Sequence, residues 1–366
     1  MNKTVFEKNS PFYQVLKARV DTYFRQNAIA KTGNGQLWLK AALLGGTAVV
    51  LFVVLLLVPL PVWVQLVLSA TLGLVLAGIG FAIMHDACHY SFSSSRRVND
   101  LVVLSLNALG GNAFLFRQKH QLHHSYTNID GLDDDIAKSP LLRQCDVQVW
   151  KPMHRYQHWY VLLLYPFSGI FWITVFDFTK YFKGQISNMP LRRMNRTEHI
   201  LFWASKAFYF FCYVGLPIYL LGFNNWLVGY LVMNMVMGLT LALVFQLGHV
   251  VEHTQFYQAK EEGGMLPVHW AEHEVQASAN FALNNKLVTW YTGGLNYQIE
   301  HHLFPRVSHV HYPAISKLVQ QTCREYGLPY FCYPTFTSAV QSHFRLLRTL
   351  GNTPPAVTPT TALAGA

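Results

Sequence analysis

Charge is scarce in this chain. Of its 366 residues, 28 are Lys or Arg and 18 are Asp or Glu, so charged side chains make up 13% against 52% apolar. That balance argues against a soluble globular protein and for a membrane protein. No Asp, Glu, Lys or Arg occurs from Ala41 to Met84, a run long enough for two helical spans of about 20 residues each. Pro59, Pro61 and Gln65 mark the turn between them. A second apolar hairpin runs over about residues 200–248 and breaks at Gly222-Phe223-Asn224-Asn225. Its one charge, Lys206, is expected to snorkel toward the entry. Two uncharged helices joined by a tight turn are rare in the core of a soluble protein.

Other absences narrow the class further. The five cysteines show no Cys-x-x-Cys spacing, so neither a disulfide framework nor a zinc ribbon is indicated. His-Glu-x-x-His is missing, which disfavours a zinc metalloprotease. The first 40 residues carry seven Lys or Arg and no short apolar core with a cleavage site, so no signal peptide is expected and the amino terminus should stay inside. No basic run with interleaved aromatics supports nucleic-acid binding. Both turns between the spans lack charge, and the Lys and Arg residues fall on the flanking segments. By the positive-inside rule those flanks, both termini included, are cytoplasmic, and the net charge of +10 faces anionic lipid head groups.

These patterns predict an all-α integral membrane protein. Four transmembrane helices form two hairpins, with spans at about 41–60, 64–84, 200–222 and 226–248, beneath a cytoplasmic helical cap. Trp159 to Phe176 is apolar and just long enough to cross. A crossing would put Lys180, Lys183, Arg192, Arg193 and Arg196 outside, against the charge rule, and would separate His249 from His124. Pro166, Ser168 and Gly169 interrupt the segment, so it reads as interfacial or half-inserted. Phe12, Leu16, Val20, Tyr23 and Phe24 have helical spacing among Lys17, Arg19 and Arg25, which reads as an amphipathic helix lying on the membrane surface. Residues 1–350 form one domain, and 351–366, rich in Pro, Thr and Ala, are expected to be disordered.

Histidine is what the chain has in abundance, with 17 residues. His120, His123 and His124 stand at i, i+3 and i+4, on one face within a single helical turn. His85 and His89 follow the second span with i, i+4 spacing, and His249 closes the fourth. Gln298-Ile299-Glu300-His301-His302 repeats the i, i+3, i+4 pattern with Gln in the first place. Eight histidines thus gather on one side of the membrane. That is too many for one metal ion and fits two ions with about four imidazoles each. Iron suits oxygen chemistry on a hydrocarbon.

The order of His85-Asp86-Ala87-Cys88-His89, His120-Gln121-Leu122-His123-His124, His249 and Gln298-Ile299-Glu300-His301-His302 resembles the membrane-bound fatty acid desaturases. The stretch Gly293–Pro305 with His309, His311 and Pro313 is similar to the front-end branch, which desaturates between an existing double bond and the carboxyl end. The resemblance runs from about Phe12 to Leu350. It implies a di-iron, dioxygen-dependent acyl desaturase in which His85, His89, His120, His123, His124, His249, His301 and His302 hold two iron ions. Gln298 would replace a ligand histidine or hold one through water. A fused cytochrome b-type domain with His-Pro-Gly-Gly, carried by many relatives of that branch, has no counterpart here. The resemblance therefore implies a separate electron donor, a ferredoxin or cytochrome b-type protein, and a bacterial inner-membrane location. The fatty acyl substrate would be carried on coenzyme A or a lipid. A hydroxylase or epoxygenase built on the same cage is the alternative, because the ligand set does not separate these outcomes.

The remaining polar residues read more plainly. His154 and His158 share i, i+4 spacing but resemble no ligand box, and with His253 they are taken as outer contacts. Asp133-Asp134-Asp135 reads as a solvated turn from which a carboxylate could orient an imidazole. Asp86 and Glu300, adjacent to ligands, are stronger candidates for that task. His199, His269, His273, His309, His311 and His343 read as packing or surface residues.

Overall fold

A computed structural model describes residues 5–7, 9–137, 140–259 and 264–353. The disordered tail expected for 351–366 lies outside these residues, except that the last helix continues through Asn352.

The uncharged runs become helices because an apolar solvent offers the backbone no other hydrogen-bond partners. Helix α1 is Pro11–Gln26, capped by the Ser10 side chain. Helix α2 is Gly35–Leu57 and α3 runs from Val62 to Cys88. After Arg96–Val102 (α4) comes Ala113–Ser125 (α5), capped by Asn112. A long helix, Pro152–Lys183 (α6), is followed by Arg196–Leu221 (α7) and Phe223–His249 (α8). The carboxyl-terminal third adds Trp270–Ala277 (α9), Gln298–Leu303 (α10), Tyr312–Glu325 (α11) and Phe336–Asn352 (α12). Among the described residues, strands are limited to short pairs such as Ile129–Asp130 with Tyr257–Gln258, which tie loops together.

Among the described residues, five helices, α2, α3, α6, α7 and α8, are long and apolar enough to cross a membrane. The sequence reading of four spans excluded α6 on charge placement, on the position of His249 relative to His124, and on the further ground that Pro166, Ser168 and Gly169 interrupt it. They do not. Pro166 sits inside a continuous helix, and Gly238 of α8 packs directly on the Pro166 carbonyl, where a Cβ would collide. Ser168 Oγ donates to Gly238 O at 3.1 Å, which anchors α6 on α8. Both ends of α6 are nevertheless tied to the cap. Gln157 bonds the Arg143 and Leu347 carbonyls at one end, and Lys180 pairs with Asp134 at 2.7 Å at the other. On the opposite side of α8, Gly73 of α3 meets the Met233 backbone. Small residues at both faces let three helices approach closely.

Two further expectations change. Lys206 does not snorkel. It is 2% exposed, pairs with Asp177 at 2.7 Å and donates to Gly110 O and Ile173 O, joining α7 to α6. The apolar face of α1 is covered by protein rather than lipid, since Phe12, Leu16, Val20 and Phe24 are buried in a cluster with Ile315 and Val319 of α11 and Ala271 and Val275 of α9.

Candidate metal centre

Four elements deliver the histidines. Helix α3 passes through a π turn at Gly80–Met84 just before His85, and π turns recur at functional sites because the extra residue re-aims the side chains beyond it. The first positive-φ glycine of the Gly293-Gly294 pair lets the chain press against the Phe81 carbonyl inside that turn. Helix α5 carries His120, His123 and His124, the last turn of α8 carries His249, and α10 carries Gln298, His301 and His302.

All nine residues meet. The ring nitrogens of His85, His89, His120 and His301 form one group. Those of His123, His249 and His302 form a second, and His124 with His301 and His302 forms a group joining them. His85 Nε2 lies 2.8 Å from His120 Nε2, His124 Nε2 lies 3.2 Å from His120 Nε2, and His123 Nε2 lies 3.3 Å from His249 Nε2. The Gln298 amide nitrogen is 2.7 Å from His249 Nε2 and 3.3 Å from His302 Nε2. Gly248 makes room for it, because a Cβ there would stand 2.8 Å from Gln298 Cγ.

The donor chemistry fits cations. Acceptors hold several Nδ1 atoms from outside: Asp133 Oδ2 on His123 at 2.9 Å, Glu274 Oε2 on His302 at 2.7 Å, the Ala277 carbonyl on His249 at 3.3 Å and the Tyr312 hydroxyl on His301 at 3.1 Å. A proton fixed at Nδ1 leaves Nε2 a bare lone pair, and here the lone pairs face one another. His89 Nε2 and His301 Nε2 are buried without a hydrogen-bond partner, a costly arrangement unless a metal accepts them. Burial pushes the imidazoles of His120, His124, His301 and His302 well below their usual range and keeps them neutral, as metal ligands must be. Burial also pushes the Glu274 carboxyl well above its usual range, against the hydrogen bond from Thr127. A nearby positive charge would restore it to the ionised form.

The outer partners were only partly legible. Asp133 is fully buried, not solvated. Asp86 turns away from the ligands to accept from Ser308 Oγ at 2.6 Å, with His309 Nδ1 at 3.0 Å. Glu300 accepts from Asn280 and Tyr330, and burial lifts its carboxyl to about 7 against those hydrogen bonds. Glu274 and Tyr312 carried no spacing signal at all. His154 bonds Pro140 O, His253 stacks on Phe331 and His343 bonds Val250 O, so none of these is brought to the cluster. His273 is buried and bonds Thr127 O. Phe116 stacks on His120, and Phe245 packs against His123 and His249, closing the centre to water.

The fatty acid desaturase family profile matches residues 61–334. The chain is 32% identical over 355 residues to an sn-1 linoleoyl-lipid 6-desaturase of Synechocystis sp., covering 94% of this chain and 97% of the relative. It is 35% identical over 351 residues to an acyl-lipid (8-3)-desaturase of Physcomitrium patens, covering 94% and 73%. An sn-1 linoleoyl-lipid 6-desaturase of Arthrospira platensis is 32% identical over 356 residues, with 96% of each chain covered.

Proposed function

The chain belongs to the fatty acid desaturase family, and from that premise we propose that it inserts a double bond on the carboxyl side of one already present in a lipid-bound acyl chain. It is an oxygen-dependent acyl desaturase, an oxidoreductase. The observation that carries the proposal is the buried meeting of eight imidazoles with Gln298 in the position of a ninth. Similarity to a 6-desaturase of linoleoyl lipid supports the direction, because position 6 lies nearer the carboxyl end than the bonds of a linoleoyl chain. The same relatives support a glycerolipid carrier over coenzyme A.

On this reading His85, His89, His120 and His301 hold one iron ion, and His123, His249 and His302 hold the other. His124 lies between the groups. Iron held there would supply the oxidation of an unactivated methylene pair by dioxygen and two electrons, which no side chain performs. The protein's part is to fix the ligands and keep the site dry. Asp133 and Glu274 hold the Nδ1 protons of His123 and His302, which aims their Nε2 atoms inward. Gln298 fills the ninth position with a weaker donor than imidazole. The cap that holds these groups lies on the cytoplasmic side, and α6, tied to that cap at both ends, is interfacial or half-inserted. The packing of α1 on α11 and α9 supports one domain over residues 1–350.

Expression in a host fed linoleate, with double-bond positions read by gas chromatography–mass spectrometry, tests the proposal. A triene with its added bond on the carboxyl side is expected. A methyl-side triene, a monoene from stearate or a hydroxy acid would overturn the regiochemistry. Metal analysis of the same purified protein should find about two irons per chain.

A further inference from the structure

Seven of the eight clustered histidines are buried, and His89 alone keeps partial exposure. Three chain segments meet beside it. Gly33 N donates to Ser91 O at 2.9 Å and Ser308 N donates to Lys31 O at 2.8 Å, which joins residues 31–33, 90–97 and 305–308 into one surface. Lys31, Arg96, Arg97 and Arg306 are exposed there. Tyr90, directly after His89, has a φ of +60°, and its ring receives the Arg96 guanidinium at 5.5 Å and that of Arg117 at 4.6 Å. Arg117 and Arg306 both act electrostatically on His89. Among the described residues, two carboxylates face these five cations, Asp21 on Lys31 and Asp100 on Arg117 and Arg96.

We propose that this basic face around His89 docks an acidic one-electron carrier protein and is the entry point for reducing equivalents. The inference rests on the desaturase reading. Each turnover converts –CH2–CH2–, O2, two electrons and two protons into –CH=CH– and two waters, so a reduced carrier of the iron–sulfur ferredoxin class must dock twice and is oxidised by one electron each time. Two features favour a protein over a phosphate head group. The cations are spread around an imidazole on four segments, the three loops and α5, and two of them lie against the Tyr90 ring rather than converge on a point, so they form a rim that complements an acidic surface. A second basic stretch, Lys180 to Arg196, has no cluster histidine exposed beside it.

The test uses the full-length iron-loaded protein in nanodiscs of neutral phosphatidylcholine. Reduction by a reduced acidic [2Fe–2S] ferredoxin is followed by stopped flow. In the wild type the second-order rate should fall as salt rises. In Arg97→Glu/Arg306→Glu the rate should drop about ten- to hundredfold and lose that salt dependence. Dithionite, which needs no docking, should still reduce the variant, and Lys183→Glu/Arg193→Glu should stay within about twofold of wild type. If the charge reversal impairs folding, Arg97→Gln/Arg306→Gln and the wild-type salt titration carry the test. An unchanged rate, an equal loss in the Lys183/Arg193 control or a salt-insensitive wild type overturns the docking face. A defect confined to the KM for the lipid substrate does so too, and assigns the face to a head group. Absence of iron from the wild-type protein would instead strike the desaturase reading itself.

Discussion

Glu274 offers the sharpest perturbation of the centre. Its Oε2 receives the Nδ1 proton of His302 at 2.7 Å and the Thr127 hydroxyl at 2.8 Å, and the residue is fully buried. A hydrogen bond to a charged group contributes about 1.5–3 kcal/mol and a neutral one about 0.5–1.5 kcal/mol. Glu274→Gln keeps shape and an acceptor oxygen, so it should cost the difference, about 1–1.5 kcal/mol, or roughly five- to tenfold in affinity for the ion bound through His302. Glu274→Ala removes the acceptor altogether and should cost roughly a hundredfold, the upper end for partners that orient metal ligands. The assay is iron per chain, by elemental analysis, after equilibration against graded chelator. The expected pattern is loss of one iron at lower chelator in Gln, and lower still in Ala, with the other iron retained longer. The reasoning fails if Glu274→Ala holds both irons as wild type does, or if both are released together in either variant.

Lys206→Met should destabilise the protein by about 3–5 kcal/mol, because it leaves the Asp177 carboxylate buried and unpaired. Lys206→Met/Asp177→Leu should recover most of that loss in thermal unfolding, and a double variant no better than the single would refute the pairing argument. Cysteines introduced at the exposed positions Pro61 and Asn224 should be labelled from outside only, and those at Asn195 and Lys317 from the cytoplasm only. Outside labelling at Asn195 would mean that α6 crosses the bilayer.

What the sequence made legible was periodic and local. Imidazoles at i, i+3 and i+4 declare a shared face without any knowledge of the partner helix, and uncharged runs declare apolar helices. Contacts made by single residues across long separations left no such trace. Glu274 reaches a histidine 28 positions away, and Tyr312 reaches His301 from a different helix. Asp86 and Glu300 were natural suspects because they adjoin ligands, yet neighbours on a helix point about 100° apart, so each faces away from its ligand's metal side. Pro166 misled for a similar reason. Proline removes one hydrogen bond and sets a local cost, but the close fit against Gly238 holds the helix together there. Lys206 was read as a lone charge because its partner, Asp177, lies 29 positions away in another helix.

The pairing of α1 with α11 has a bearing on how the molecule is made. Phe12, Leu16, Val20 and Phe24 leave the ribosome well before the helix that covers most of them, which begins only at Tyr312. At synthesis rates of about 5–20 residues per second, the 286 positions from Gln26 to Tyr312 take roughly 15–60 s. Through that interval the nascent helix carries a bare apolar stripe flanked by Lys17, Arg19 and Arg25, and the bilayer surface already being entered by α2 and α3 is the shelter at hand. The amphipathic pattern that reads as a membrane-surface helix then describes a waiting stage in biogenesis, ended when the last third of the chain arrives to lift α1 off the lipid and complete the cap.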